Sequence, residues 1–216
     1  MPTSGSPRDA SELGRSARKR RAILEAGTTL FLRQGYRGTS MDEIAAVAGV
    51  SKQTVYKQFA DKQRLFSQIV AGTVDEVAGP VHDEVLTLED SGDLDAELRR
   101  LARQLLRRVM QPRILQLRRL VIGEAARFPE LGRIFYEQGP GRTIAALASV
   151  FERLAGEGVL RPGDPLLAAA HFNWLVMSIP LNRAMLLGDD EPPAAADLNR
   201  YADAGVRAFL AAYAQT

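Results

Sequence analysis

The stretch Thr39-Ser40-Met41-Asp42-Glu43-Ile44-Ala45-Ala46-Val47-Ala48-Gly49-Val50-Ser51-Lys52-Gln53-Thr54-Val55-Tyr56-Lys57-Gln58-Phe59-Ala60-Asp61-Lys62-Gln63-Arg64-Leu65-Phe66 reads as three short helices separated by tight corners. Ser40 and Glu43 have the capping-box spacing, in which each side chain satisfies the other's free backbone N–H. A helix therefore opens near Met41, turns Ile44, Ala45 and Ala48 inward, and stops at Gly49, the residue best able to take a left-handed conformation past a helix end. Ser51 caps a second helix. The four residues Ala48 to Ser51 have the length and glycine content of a helix-turn-helix corner.

With Val55 pointing inward, successive 100° steps place Phe59 beside it, Gln53 and Lys57 directly outward, and Thr54 and Tyr56 at the flanks. That outer face carries only hydrogen-bonding and cationic groups. Lys52 sits in the first turn, where a cation opposes the helix dipole and a nearby anion relieves the conflict. Asp61 caps a third helix with Lys62 in its first turn, which gives a second anion site. Such an element fits a duplex major groove, with Gln53 and Lys57 expected at base edges and Lys52, Thr54, Tyr56 and Lys62 at phosphates. Thr39, Ser40 and Ser51 complete the expected DNA-binding set.

Thr39-Ser40, Ile44-Ala45, Ala48-Gly49-Val50-Ser51, Tyr56, Phe59, Lys62 and Leu65-Phe66 together resemble the N-terminal DNA-binding domain of the TetR family of bacterial regulators. The likeness covers about residues 18–66. It implies an all-helical homodimer, usually a repressor, whose larger C-terminal domain dimerises and binds a small-molecule effector. The segment Arg118 to Arg142, with Gly123-Glu124-Ala125 and Phe128-Pro129-Glu130-Leu131, resembles the C-terminal domain of the AefR-like branch of that family. A fold retained as a protein-interaction or sensor module without DNA binding is the alternative from another class, and an activator would use the same residues.

The chain has 216 residues, 46% of them hydrophobic and 25% charged, an ordinary globular balance. It contains no cysteine, which excludes a disulfide framework, thiolate metal ligands and a cysteine nucleophile and suits a cytoplasmic location. Its net charge of +2 hides an asymmetry, since residues 1–64 carry +6 and residues 65–216 carry −4. Segregated positive charge is the footprint of a nucleic-acid partner. The two histidines, His82 and His171, have no second ligand at metal spacing, and there is no nucleophile elbow or phosphate loop. No catalytic site, metal or cofactor is expected.

Three regions follow: a disordered basic arm over 1–17, the helix-turn-helix domain over 18–64, and the effector-binding and dimerisation domain over 65–216. Arg15, Arg18, Lys19, Arg20 and Arg21 lead into a first helix with Ile23, Ala26, Gly27, Leu30 and Phe31 inward. Leu65, Phe66, Ile69, Val70, Thr73 and Val77 run on at helical spacing, and Gly79-Pro80 should kink or end that helix. Gln111-Pro112, Pro129 and Asp164-Pro165 mark later helix starts. The last two helices, about 165–187 and 195–213, are expected to dimerise through Leu198, Tyr201, Ala202, Gly205 and Phe209, a face whose small residues admit another backbone. Residues 165–181 are too short and too interrupted to cross a membrane. Polar groups on an apolar face suggest an effector site at His171, Trp174, Met177 and Ser178, joined by Met110, Arg119 and Phe135.

Overall fold

The computed structural model describes residues 7–86, 88, 93–188 and 194–215, with side chains left out at 7–13 and 86. Among them the helices are α1 (Pro7–Gly38), α2 (Met41–Val47), α3 (Lys52–Phe59), α4 (Lys62–Leu86), α5 (Leu94–Val109), α6 (Pro112–Ala125), α7 (Pro129–Tyr136), α8 (Arg142–Gly156), α9 (Pro165–Leu187) and α10 (Ala195–Tyr213). A π-helical turn, Glu137–Gly141, joins α7 to α8. The fold is all-α; among the described residues the β pairing is a single antiparallel bridge between Leu160 and Ala214. The chain divides into two compact units, Met1–Gly72 and Thr73–Thr216, with α4 contributing to both.

The first unit is built on α1. Its regular turns stop at Gly35, whose φ of 75° is left-handed. Ile23, Leu30 and Phe31 are buried, and the Phe31 ring lies 4.9 Å from Phe66 and 5.8 Å from Tyr36. Leu65, Phe66, Ile69 and Val70 are buried with them, so this unit extends past the expected boundary at 64. Gly27 allows that packing, since a Cβ there would meet the Ile69 Cδ1 at 2.9 Å. The expectation of a disordered arm over 1–17 is also corrected: the backbone is helical from Pro7, and residues 1–6 lie outside those described.

Gly79-Pro80 does not end α4, which continues to Leu86. An internal proline costs about 3 kcal/mol through its missing N–H and its clash with the preceding turn. Val81 and Val85 beyond it are fully buried, and each such side chain returns about 1.5–3 kcal/mol. Burial therefore wins. Arg142 to Asp75 (2.7 Å), Arg113 to Glu76 (3.4 Å) and Arg108 to Glu84 (3.5 Å) add ion pairs along this segment, but exposed pairs contribute less.

In the second unit α5, α8, α9 and α10 enclose one core. Phe151, Phe172 and Phe209 meet at its centre, with ring separations of 4.9, 5.3 and 5.9 Å. Asp203 of α10 accepts two hydrogen bonds of 2.7 Å from Arg103 of α5, and that guanidinium holds its carboxyl below the usual carboxylate range.

The expected dimer face is corrected here. Leu198, Ala202, Gly205 and Phe209 are buried within the chain's own core, and Tyr201 is half-buried beside Arg200. Small residues on α10 do admit a second backbone, but it belongs to α9: a Cβ on Gly205 would stand 2.8 Å from the Leu175 carbonyl oxygen. The backbone there has no rotamer with which to yield. Gly205→Ala is expected to destabilise the protein by about 1–3 kcal/mol through overpacking. Urea unfolding of the variant against the native chain measures it.

Candidate nucleic-acid interface and ligand cavity

The reader is assembled from caps and buried anchors. Ser40 Oγ accepts from the Glu43 N–H at 3.1 Å, opening α2. The reciprocal half of the capping box is replaced, because Glu43 Oε1 accepts instead from Gln34 Nε2 at 2.7 Å. Gly49 turns the corner at φ 64°. Ser51 Oγ then accepts from the Thr54 N–H at 3.2 Å and shares a 2.8 Å hydrogen bond with the Thr54 hydroxyl. Val55 (0% exposed) and Phe59 (4%) are the buried side of α3, and Arg20 covers the Phe59 ring at 4.5 Å while donating to Gln68. Lys52, Gln53, Tyr56 and Lys57 are exposed and Thr54 is half-buried. This is the face division that the periodicity predicts.

Three of the expected contact residues have other work. Lys52 Nζ pairs with Asp42 of α2 at 2.8 Å, which holds its ammonium above the ordinary lysine range; the conflict with the helix dipole is met within the protein. Thr39 is 2% exposed and its hydroxyl donates to the Gly35 carbonyl at 2.9 Å. Its side chain is corrected from a DNA contact to a clasp on the end of α1. Lys62 Nζ donates to the carbonyls of Tyr36 (2.8 Å) and Thr39 (2.9 Å) and lies 4.5 Å over the Tyr36 ring. Carbonyls past a helix end lack intrahelical partners, and this ammonium supplies them.

The second unit holds an apolar cavity of about 50 Å³ that is partly open to solvent. Val74, Val77 and Ala78 of α4, Phe135 of α7, and Asn173, Trp174, Met177 and Leu181 of α9 line it. Arg118 and Thr143 add polar groups, and Gly139 and Pro140 bring the π-helical turn into its wall. Of the expected effector residues, Phe135, Trp174 and Met177 reach the cavity; Met110, Arg119, His171 and Ser178 do not. Met110 caps α5 and is buried in the core. Arg119 Nη2 donates to the Ala184 carbonyl at 3.1 Å. His171 and Ser178 are on the exposed side of α9, His171 Nδ1 lying 2.5 Å from the Tyr213 hydroxyl.

Phase explains the difference. Asn173, Met177 and Leu181 are one helical stripe at i, i+4 and i+8, whereas His171 and Ser178 at i, i+7 are on another. Arg118 follows Ile114 by four residues and so shares its inward face, which the neighbouring Arg119 does not. The amide of Asn173 among apolar residues was the available signal; Arg118 after Ile114 and Arg119 after Leu115 stand in the same i, i+4 relation to a buried residue.

A helix-turn-helix with a polar outer face defines a DNA-binding regulator, and the comparisons agree. Residues 23–69 match the family model of bacterial regulatory proteins of the TetR family, and residues 96–215 match the C-terminal domain of AefR-like transcriptional repressors. The chain belongs to the TetR family of transcriptional regulators and is not an enzyme. A solved structure described as a TetR-family transcriptional regulator from Mesorhizobium loti MAFF303099 is 45% identical, with a TM-score of 0.86 over 93% of this chain and 98% of its own. The flavonoid-responsive regulator FrrA is 34% identical, with a TM-score of 0.75 over 92% of this chain and 98% of its own. The transcriptional activator FasR of Mycolicibacterium smegmatis (strain ATCC 700084 / mc(2)155) is 34% identical over 87 residues, 40% of this chain and 39% of FasR. The chain thus matches well under half the length of that curated relative. Among the described residues no helix is long and apolar enough to cross a membrane.

The two lysines separate structure from contact. Lys62→Met is expected to cost about 1–3 kcal/mol by removing the ammonium that donates to the Tyr36 and Thr39 carbonyls, whereas Lys57→Ala stays within about 0.5 kcal/mol. Thermal and urea unfolding without DNA distinguish them.

Proposed function

We propose that the protein is a homodimeric one-component repressor that leaves a near-palindromic operator when a small molecule enters the second unit. The observation that carries this reading is the division of α3, with Val55 and Phe59 buried beneath it and Gln53 and Lys57 held out in solvent. Gln53 and Lys57 read base edges in the major groove, and Lys52, Thr54 and Tyr56 hold phosphates beside them, together with Ser40 and Ser51 at the helix starts. Lys62 acts first by fixing the corner, so its contribution to DNA affinity passes through the fold.

The dimer uses the outer side of α9 and α10. Leu167, Leu175, Ile179 and Leu186 are exposed at helical spacing on α9, and Ala204, Ala208 and Ala211 on α10 leave a second backbone room to approach. An exposed apolar stripe of this length needs a partner, and a second copy gives an isologous four-helix contact. Half-sites then fall about 34 Å, or a multiple, apart. The effector site is the cavity walled by Val74, Val77 and Ala78, residues of the same helix that begins at Lys62. FrrA, described as flavonoid-responsive, supports a small-molecule effector. An activator would use the same DNA contacts, and FasR is the relative that favours that second reading.

Gln53→Ala is expected to change sequence preference and to cost about 1–3 kcal/mol on the preferred site. Binding-site selection with both proteins tests it, and an unchanged consensus removes Gln53 from base reading. Operator affinity should also fall steeply with salt, because phosphate contacts release counterions. A flat salt profile, or no DNA binding at low ionic strength, would instead identify an interaction module that only retains this fold.

A further inference from the structure

The cavity wall contains a cation that no described residue neutralises. Arg118 lines it, with its guanidinium carbon 5.0 Å from the centre of the Phe135 ring, and its Nε is buried without a hydrogen-bond partner. Among the described residues no carboxylate pairs with it, and no Asp or Glu lines the cavity. The guanidinium cannot escape by losing its proton, since arginine stays charged in proteins. Burial nonetheless pushes its pKa down from the ordinary arginine value. Taking a charge out of water without a counterion is costly, and truncation of a partner is destabilising for the same reason. Two neutral polar groups share the wall: Asn173, 4% exposed and without a side-chain hydrogen bond among the described residues, and Thr143, 3% exposed. The remaining lining is aliphatic or aromatic.

We infer that this cavity takes an amphipathic monoanion, a carboxylate carried on an apolar body, with Arg118 facing the carboxylate and Asn173 available to its oxygens. A carboxylate matches the planar fork of a guanidinium with two parallel hydrogen bonds. It supplies the charge that the wall lacks, while the apolar body occupies the space between Phe135, Trp174 and the valines of α4. A neutral ligand of the same shape would leave Arg118 unpaired, and a cationic one would be repelled. The inference rests on the cavity being the effector site, and it goes further by assigning the effector's charge and the residue that selects it.

Trp174 is the single tryptophan of the chain and lines the cavity, so its fluorescence reports occupancy directly. The full-length protein is titrated at neutral pH with 4-phenylbutyrate, 4-phenylbutanol and 4-phenylbutylamine, and with octanoate against octanol. Each acid is expected to bind about tenfold or more tightly than its alcohol, with the amine weakest. Arg118→Gln should bring the acids to the level of the alcohols, and Arg118→Lys should keep the acids ahead. Equal binding of acid and alcohol by the native protein, a preference that survives Arg118→Gln, or no binding by either acid overturns the assignment. Operator release is followed in the same titrations. Acids that bind without releasing DNA leave the charge assignment standing and sink the repressor mechanism; alcohols that bind and release DNA as well as acids do the reverse.

Discussion

An eight-residue helix does not hold together in water on its own, because nucleation costs more than two turns of hydrogen bonds return. The outer face of α3 therefore depends on Val55 and Phe59 being taken into apolar contact beneath it. Burying those two side chains supplies about 1.5–3 kcal/mol each, more than the Ser51 cap at about 1 kcal/mol. Their direction also fixes what faces outward. Arg20, laid over Phe59, and Lys62, fastened to the end of α1, close the same unit from two sides. Part of the charge in this stretch of the chain is thus spent on the fold itself.

Most of the local grammar was legible. Ser40, Ser51, Asp61 and Asp164 cap helices where their spacing says they should, and Gly35 and Gly49 take the left-handed turns. These features are decided within four or five residues, and so a sequence states them directly. What was hidden was decided across the fold. Pro80 reads as a stop, yet Val81 and Val85 find a core beyond it. Lys62 reads as a phosphate clamp because nothing nearby in sequence announces the carbonyls of Tyr36 and Thr39.

The hardest feature was the orientation of α9 and α10. Helix α9 is apolar around most of its circumference, so no stripe announces which side meets the rest of the chain. The small residues of α10 indicated close contact with a backbone without saying whose. The cavity lining shares Phe135, Trp174 and Met177 with the residues expected at an effector site, whereas His171 and Ser178 lie one face away from it and Asn173 lines it instead. Arg118 lines it and Arg119 does not.

The contact of Gly205 with the main chain of α9 separates two kinds of constraint. On the inner side a single added methyl disturbs the seam, so that side can hardly vary. Outer residues such as Leu186 (77% exposed) and Ile179 (55%) face solvent instead. Two regulators sharing the same inner seam could therefore coexist and never exchange subunits, simply by differing in which bulky and small side chains they present outward. Fidelity of assembly would be written entirely on the surface, while the architecture beneath stayed constant.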